Sequence, residues 1–419
     1  MDQKKIAIIG LGYVGLPLAV EFAKQRSVIG FDIDTRRIQE LCGGVDRTME
    51  FDAADLEAST GLMLTSNQGD LSGADFYIVT VPTPIDVNKK PDLSYLVSAS
   101  ELVGAHLKAG DIVVYESTVY PGCTEEVCVD VLERVSGLTF NHDFFCGYSP
   151  ERINPGDKTR RLKNIVKVTS GSNPAVAKVI DELYGEIIEA GTFLVDSIKI
   201  AEASKIIENT QRDVNIAFMN ELSMIFDHLG IDTKSVLDAA ATKWNFLPFS
   251  PGLVGGHCIS VDPYYLASKA ESMGYIPDII NTSRRLNDSM PKIVIEKLLR
   301  EMNLKGIPVR GAKILVMGVT FKENCPDLRN SKVRNIIDEL RKYTGKIDVF
   351  DDVAYRDELE SFTMVDNPDN YHYDAVLICV PHQKIIDIGV KAIRKLCSPT
   401  GVIFDLKSVF PLNSTDLRL

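Results

Sequence analysis

Lys4-Lys5-Ile6-Ala7-Ile8-Ile9-Gly10-Leu11-Gly12-Tyr13-Val14-Gly15 reads as an apolar strand that breaks into a glycine-rich turn and then a helix. Val28-Ile29-Gly30-Phe31-Asp32 supplies the next strand, ending in an acid about 20 residues past the turn. Strand, glycines, helix, strand and terminal carboxylate in that order form a dinucleotide-binding fingerprint, far more specific than the glycines alone. Gly10, Gly12 and Gly15 let the backbone turn sharply and approach a pyrophosphate. Tyr13 and Val14 lie where the helix N-terminus offers N–H donors and a favourable dipole. Asp32 can accept hydrogen bonds from both hydroxyls of an adenosine ribose and would repel a 2′-phosphate, so NAD is expected over NADP. Arg37 is expected to add a cation near the adenosine end.

Working outward, Asp75-Phe76-Tyr77-Ile78-Val79-Thr80-Val81 is broken by Pro82-Thr83-Pro84, and Ile112-Val113-Val114-Tyr115-Glu116-Ser117-Thr118 by Pro121-Gly122. Both read as buried parallel strands whose polar loops begin at their C-terminal ends, the edge where ligands gather in an open sheet. Thr83 and Thr118 stand at that edge. Ser149-Pro150-Glu151-Arg152-Ile153-Asn154-Pro155-Gly156 adds a loop with an acid and a cation between breakers.

At 419 residues the chain is long enough for two or three domains. Its formal charge of -12 argues against a nucleic-acid surface while leaving room for a local phosphate pocket. No apolar run is long enough to cross a bilayer, and Met1-Asp2-Gln3-Lys4-Lys5 runs straight into a strand without a signal-peptide pattern. The eight cysteines form no CxxC pair or zinc-type cluster, so neither a disulfide scaffold nor a metal is expected. A reduced, soluble, cytoplasmic protein is the expectation.

Gly255-Gly256-His257-Cys258-Ile259-Ser260-Val261-Asp262-Pro263-Tyr264-Tyr265 places a thiol in a glycine-rich loop. Near a nicotinamide such a thiol can hold an aldehyde and carry its oxidation on to an acid; taken alone, the loop fits a small buried cysteine equally well. From about Ile200 to Leu229 there is no proline or glycine. Ala201, Ile206, Ile216, Phe218, Leu222, Ile225 and Phe226 recur at helical spacing, as in a spine between domains or a dimer interface. Lys205 and Asn209 lie four apart on one helix face, roughly 6 Å from each other, where a cation and an amide can hold an oxygen that gains negative charge.

Arg284-Arg285-Leu286-Asn287-Asp288 precedes a helix expected to start near Met290-Pro291. Pro308 to Gly311 reads as a linker into a second sheet, with strands at Lys313–Val319, Ile347–Asp351, Ala375–Val380 and Val402–Leu406 separated by helical intervals. Lys322 and Arg329, beyond the first of these strands, can meet a substrate diphosphate or the cofactor phosphates.

The chain resembles the UDP-sugar 6-dehydrogenases, in the branch acting on UDP-N-acetylhexosamines. The landmarks are Gly10 to Pro17, Val81-Pro82-Thr83-Pro84, Glu116-Ser117-Thr118 with Pro121-Gly122, Ser149 to Pro155, Lys205 with Asn209, Gly255 to Tyr265, and Val319-Thr320-Phe321-Lys322. Cys123 and Ser260 depart from the usual pattern without removing a reactive group. The resemblance implies an α/β protein with two Rossmann-like domains joined by a long central helix. An NAD domain would span 1–198, a central helical domain with the dimer interface 199–307, and a UDP-binding domain 308–419. It implies a homodimer without nucleic-acid or membrane partners, and a supply step for polysaccharide biosynthesis. It also implies that two NAD molecules and one water convert the sugar C6 alcohol to a carboxylate through a thiohemiacetal and a thioester on Cys258. Lys205 and Asn209 would stabilise the oxyanion, and Glu151 would be the base for thioester hydrolysis. Thr118 and Asp262 would orient water and the Lys205 side chain. Arg152, His257 and Lys322 would bind substrate, with His257 near C2 of the sugar, and Thr83, Thr118 and Arg329 would contact the cofactor. UDP-N-acetylglucosamine is expected ahead of UDP-N-acetylgalactosamine; the rival readings are a UDP-glucose 6-dehydrogenase and a non-catalytic nucleotide-sugar sensor.

Overall fold

The structure is a computed structural model that describes residues 4–153, 160–256, 258–368 and 372–419. Asn154 to Gly156 of the acidic loop, and His257, lie outside the described residues. The first sheet holds β1 (Ile6–Ile9), β2 (Val28–Phe31), β3 (Leu62–Thr65), β4 (Phe76–Val79), β5 (Ile112–Tyr115) and β6 (Phe145–Tyr148). All pair in parallel in the order β3-β2-β1-β4-β5-β6. Every residue of β1, β2, β4 and β5 is buried, so these strands are unbroken apolar runs rather than alternations. Strand order reverses between β1 and β4, which opens a crevice at their C-terminal ends.

Two strands of this sheet escaped the sequence reading. β3 is an edge strand with partly exposed residues. β6 is interrupted by Gly147, where a Cβ would come within 2.2 Å of Ile180. A separate pair follows, β7 (Lys167–Thr169) parallel to β8 (Thr192–Leu194).

The second sheet holds β9 (Lys313–Met317), β10 (Lys346–Phe350), β11 (Tyr373–Ile378), β12 (Cys397–Asp405) and β13 (Leu417–Arg418), parallel in the order β10-β9-β11-β12-β13. It repeats a device of the first. Gly10, at φ +96, donates to the Phe31 carbonyl at 2.8 Å, and Asp32 accepts from the Leu11 N–H at 2.8 Å. Gly318, at φ +80, donates to the Phe350 carbonyl at 2.9 Å, and Asp351 accepts from the Val319 N–H at 2.7 Å. Here the two diverge: Asp351 is buried against His382 at 3.1 Å, whereas Asp32 remains partly exposed. Only the first sheet keeps its acid open to a ribose.

A 32-residue helix, Ile198–Leu229, matches the long apolar-periodic stretch. Its first turns bury Ile198 and Ala201 in the core of the first sheet. The helix Asp278–Leu304 corrects the expected start near Met290-Pro291, because it begins earlier and runs through Pro291. Proline removes one helical donor, but the preceding turns are locked from outside. Arg284 pairs with Asp213 and, at 2.6 Å, with Asp288, and the Asn287 amide donates to the Asp213 carbonyl at 2.9 Å.

The chain divides into two compact units, Met1–Glu208 with Tyr264–Tyr275, and Asn209–Pro263 with Ile276–Leu419. Among the described residues, no helix is long and apolar enough to cross a membrane, and no cluster of His, Cys, Asp or Glu is arranged to hold a metal ion.

Candidate active site

The glycine turn has the form a dinucleotide requires. A Cβ on Gly15 would lie 1.8 Å from the Gly10 carbonyl oxygen, so only glycine lets the helix Gly15–Ala23 start this close to the turn. A Cβ on Gly12 meets nothing within 4 Å. Gly12 is exposed, so its missing side chain leaves room for a ligand rather than for the chain itself. Tyr13 and Val14, both half-buried, lead into the helix. Asp32 accepts from the Leu11 and Asp34 N–H groups at 2.8 and 2.9 Å, which aims its carboxylate along the turn. These features fit NAD.

Arg37 sits beneath the turn instead of over it. It is 5% exposed, its Nε donates to the Leu11 carbonyl at 2.9 Å, and its guanidinium pairs with Asp46 at 2.9 Å. Its visible work is to brace the loop. Thr80, which the sequence reading passed over, braces the other side: its hydroxyl donates to the Gly10 carbonyl at 2.7 Å. Thr83 and Thr118 are half-buried at the strand-end edge. The loop after β5 is tied down by Ser117, whose hydroxyl donates to the Val81 carbonyl at 2.6 Å, and by the long-helix Glu202, which accepts from the Thr124 N–H at 2.9 Å.

The acidic loop meets the first turns of the long helix. The Lys205 ammonium, 7% exposed, donates to the Glu151 backbone carbonyl at 2.8 Å. Arg152 lies along the same helix, donating to the Ser204 carbonyl and pairing with Glu208, each at 2.9 Å. The Glu151 carboxylate turns inward: one oxygen accepts from Lys167 at 2.8 Å and the other from the Ile153 N–H at 2.8 Å. Lys167 in turn pairs with Glu116 at 2.6 Å. This buried cluster was not foreseen; the available signal was a lone lysine opening β7 in the run Ile165-Val166-Lys167-Val168.

Within the second unit, Asn209, Asp262 and Cys258 are drawn together. The Asn209 amide donates to Asp262 at 2.6 Å, and both side chains are buried. The Cys258 carbonyl accepts from the Val261 and Asp262 N–H groups at 2.9 and 2.8 Å, so the cysteine loop winds directly into the helix Asp262–Ser272. Its glycines are forced by close packing: a Cβ on Gly255 would come 2.7 Å from the Asn330 carbonyl oxygen, and one on Gly256 2.8 Å from the Phe321 ring. Cys258 is half-buried, whereas Cys123, Cys128, Cys146, Cys325, Cys379 and Cys397 are buried. Burial pushes the Cys146 and Cys379 thiols well above their ordinary range, which suits structural cysteines.

Lys322 stacks over the Phe321 ring at 5.5 Å, and Arg329 pairs with Asp327 at 2.7 Å with its side chain largely exposed. The same unit contains a cavity of about 200 Å³ lined by Phe246, Phe249, Pro251 and Lys407 among others. Lys407, two residues past Asp405 at the end of β12, has the strand-end position that singled out Lys322, yet the sequence reading missed it. Asn220 was missed too: it is fully buried and clamps the Gly252 backbone, donating to its carbonyl at 3.0 Å and accepting from its N–H at 2.7 Å.

A complete dinucleotide cradle on a Rossmann-like sheet, a second such sheet, and a half-buried thiol at a helix start define an NAD-dependent dehydrogenase. The chain belongs to the UDP-glucose/GDP-mannose dehydrogenase family. Profiles of its NAD binding, central and UDP binding domains match residues 4–188, 199–289 and 315–411. It is 57% identical to a UDP-N-acetyl-D-glucosamine 6-dehydrogenase of Pseudomonas aeruginosa, over 100% of both chains. It is 54% identical to the Salmonella typhi enzyme described by the same words, over 100% of this chain and 99% of that one. Among solved structures, UDP-D-ManNAc dehydrogenase from Pyrococcus horikoshii superposes with a TM-score of 0.90 at 30% identity, covering 97% of this chain and 96% of that one.

Proposed function

We propose that this chain oxidises the C6 hydroxyl of a UDP-N-acetylhexosamine, UDP-N-acetylglucosamine by preference, to the uronic acid. The observation that carries the reading is Cys258, a half-buried thiol at a helix start with the Asn209–Asp262 pair beside it, in a chain that also holds an NAD cradle. Full-length similarity to two UDP-N-acetyl-D-glucosamine 6-dehydrogenases supports the sugar. The balance is one alcohol, two NAD⁺ and one water giving one carboxylate, two NADH and three protons.

Bound NAD supplies the hydride acceptor for each oxidation. The chain's own groups do the rest. Asp262, buried next to the cysteine loop, accepts the alcohol proton through a water. The Cys258 sulfur bonds to the aldehyde carbon. Lys205 and Asn209, one turn apart on the long helix, donate to the oxygen that becomes negative. The Asn209 amide has two N–H groups, so its bond to Asp262 leaves the second for substrate. Water then cleaves the thioester, with Glu151 as base. Lys322 and the Lys407 cavity meet the nucleotide, with Arg152 holding the acidic loop against the helix.

The partner is a second copy of the chain. Ile200, Ile207, Phe218, Ile225 and Leu229 are 47% or more exposed, and their spacing puts them on one face of the long helix. Such an apolar stripe fits a helix-to-helix homodimer. The test of the reaction is kcat/KM on UDP-N-acetylglucosamine, UDP-N-acetylgalactosamine and UDP-glucose, with NADH counted per sugar. A preference for UDP-glucose overturns the substrate, and one NADH per sugar overturns the four-electron course.

A further inference from the structure

The group behind Glu151 has no part in the oxidation steps. The Lys167 ammonium lies 2.6 Å from Glu116 and 2.8 Å from Glu151, with side-chain exposures of 3%, 0% and 5%. The Tyr184 hydroxyl donates to the other Glu116 oxygen, and its ring lies 5.4 Å from the Lys167 ammonium. Two carboxylates thus share one cation inside the protein. A buried ion pair alone is rarely a net source of stability, and a third charge that leaves the set negative is costlier still. Packing does not explain the second carboxylate.

We propose that Lys167, backed by Glu116 and Tyr184, positions the Glu151 carboxylate for hydrolysis of the thioester. The proposal rests on the reading of Glu151 as the hydrolytic base. In that step the water oxygen bonds to the thioester carbon, and a water proton passes to Glu151. The carbon–sulfur bond then breaks and Cys258 leaves as thiolate. Lys167 grips one Glu151 oxygen, and backbone N–H groups of Arg152 and Ile153 grip the other, so the carboxylate has a fixed orientation. Its carbonyl oxygen meanwhile accepts from Lys205, which ties the base to the oxyanion donor.

Among the described residues, the ionisable groups facing Glu151 are Lys167 from β7, Glu116 from the end of β5, Tyr184 from the helix Pro174–Gly185, and Lys205 from the long helix. Burial pushes Glu116 up to about 7, with Lys167 pulling it down and Glu151 adding to the rise. Below that pH Glu116 is neutral, so Lys167 pairs with Glu151 alone. Above it Glu116 also draws on Lys167, and the set gains a negative charge.

The experiment mixes the full chain rapidly with NAD and UDP-N-acetylglucosamine, follows NADH, and quenches in acid for mass analysis of Cys258. Lys167→Met is expected to release a burst of two NADH per site, then turn over about 10²-fold more slowly with a thioester adduct on Cys258. Lys167→Arg should restore most of the hydrolysis rate. Glu116→Gln loosens the hold on Lys167 and should keep the fold, leave the burst unchanged and slow the hydrolysis that follows it. If Lys167→Met slows burst and steady state alike without an adduct while Glu151→Gln accumulates one, the positioning role is overturned and the base assignment stands. No adduct in Glu151→Gln overturns the base assignment itself. Should Lys167→Met fail to fold, unslowed hydrolysis after the burst in Glu116→Gln is the overturning result.

Discussion

Asp32→Ala is expected to weaken NAD by at least about 10²-fold and to leave UDP binding unchanged. A carboxylate offers about four acceptor positions. The Leu11 and Asp34 N–H groups occupy two, at 2.8 and 2.9 Å on different oxygens, which leaves one on each oxygen for the two ribose hydroxyls. Hydrogen bonds to a charged group contribute about 1.5–3 kcal/mol each. Losing both removes about 3–6 kcal/mol, or roughly 10²–10⁴ in affinity. Asp32→Asn keeps one acceptor oxygen and should lose about half of that free energy. Removing the charge also removes its repulsion of a 2′-phosphate, so NADP should close part of its gap to NAD in both variants. Calorimetric titration with NAD, NADP and UDP separates these effects. Unchanged NAD affinity refutes the placement of the ribose acid, and equal losses for NAD and UDP mean that the substitution damaged the fold rather than one contact.

Cys258→Ser should bind NAD and UDP-sugar normally but form no net acid, because serine is the poorer nucleophile and its ester the poorer route; near-normal uronate production would remove Cys258 from its role. Lys205→Met should lower kcat about 10²–10³-fold with little change in substrate affinity, since the oxyanion develops only during reaction; a raised KM with intact kcat would place Lys205 in ground-state binding. Phe218→Glu combined with Ile225→Glu should convert a dimer to monomer in sedimentation velocity, and an unaltered mass would move the interface elsewhere. Burial raises the Asp232 carboxyl, but Arg418 and Ser235 outweigh it and hold it at about 2, below the ordinary value. Its stabilising contribution is therefore present above about pH 4 and lost as pH falls towards 2. Asp232→Asn should flatten that part of the Tm-versus-pH curve, and an unchanged acid limb would contradict the pairing.

Local chemistry made much of this protein legible in its sequence. Gly10, Gly12, Gly15 and Asp32 had to be close because a turn and two short strands join them, and the 3.6-residue repeat alone put Lys205 and Asn209 on one helix face. The buried strands β1, β4, β5, β9 and β11 announced themselves as apolar runs because helices cover both sides of a parallel sheet. What lies beyond a turn or a period stayed hidden. β3, half-exposed at a sheet edge, carries no strong pattern. Pro291 looked like a helix start because its neighbours' external locks, Arg284 on Asp213 and Asn287 on the long helix, come from residues over 70 positions away. Arg37, expected as a cation near the adenosine end, is buried where it braces the turn through Asp46 and the Leu11 carbonyl, and neither partner follows from a helical or strand period. Lys167, Glu116 and Glu151 are 16 to 51 residues apart, and a lysine among Ile165, Val166 and Val168 acquires its meaning only when packing delivers two carboxylates to it. Sequence spacing reports contacts within one element; charge pairing across elements is decided by which side chains the tertiary fold removes from water together.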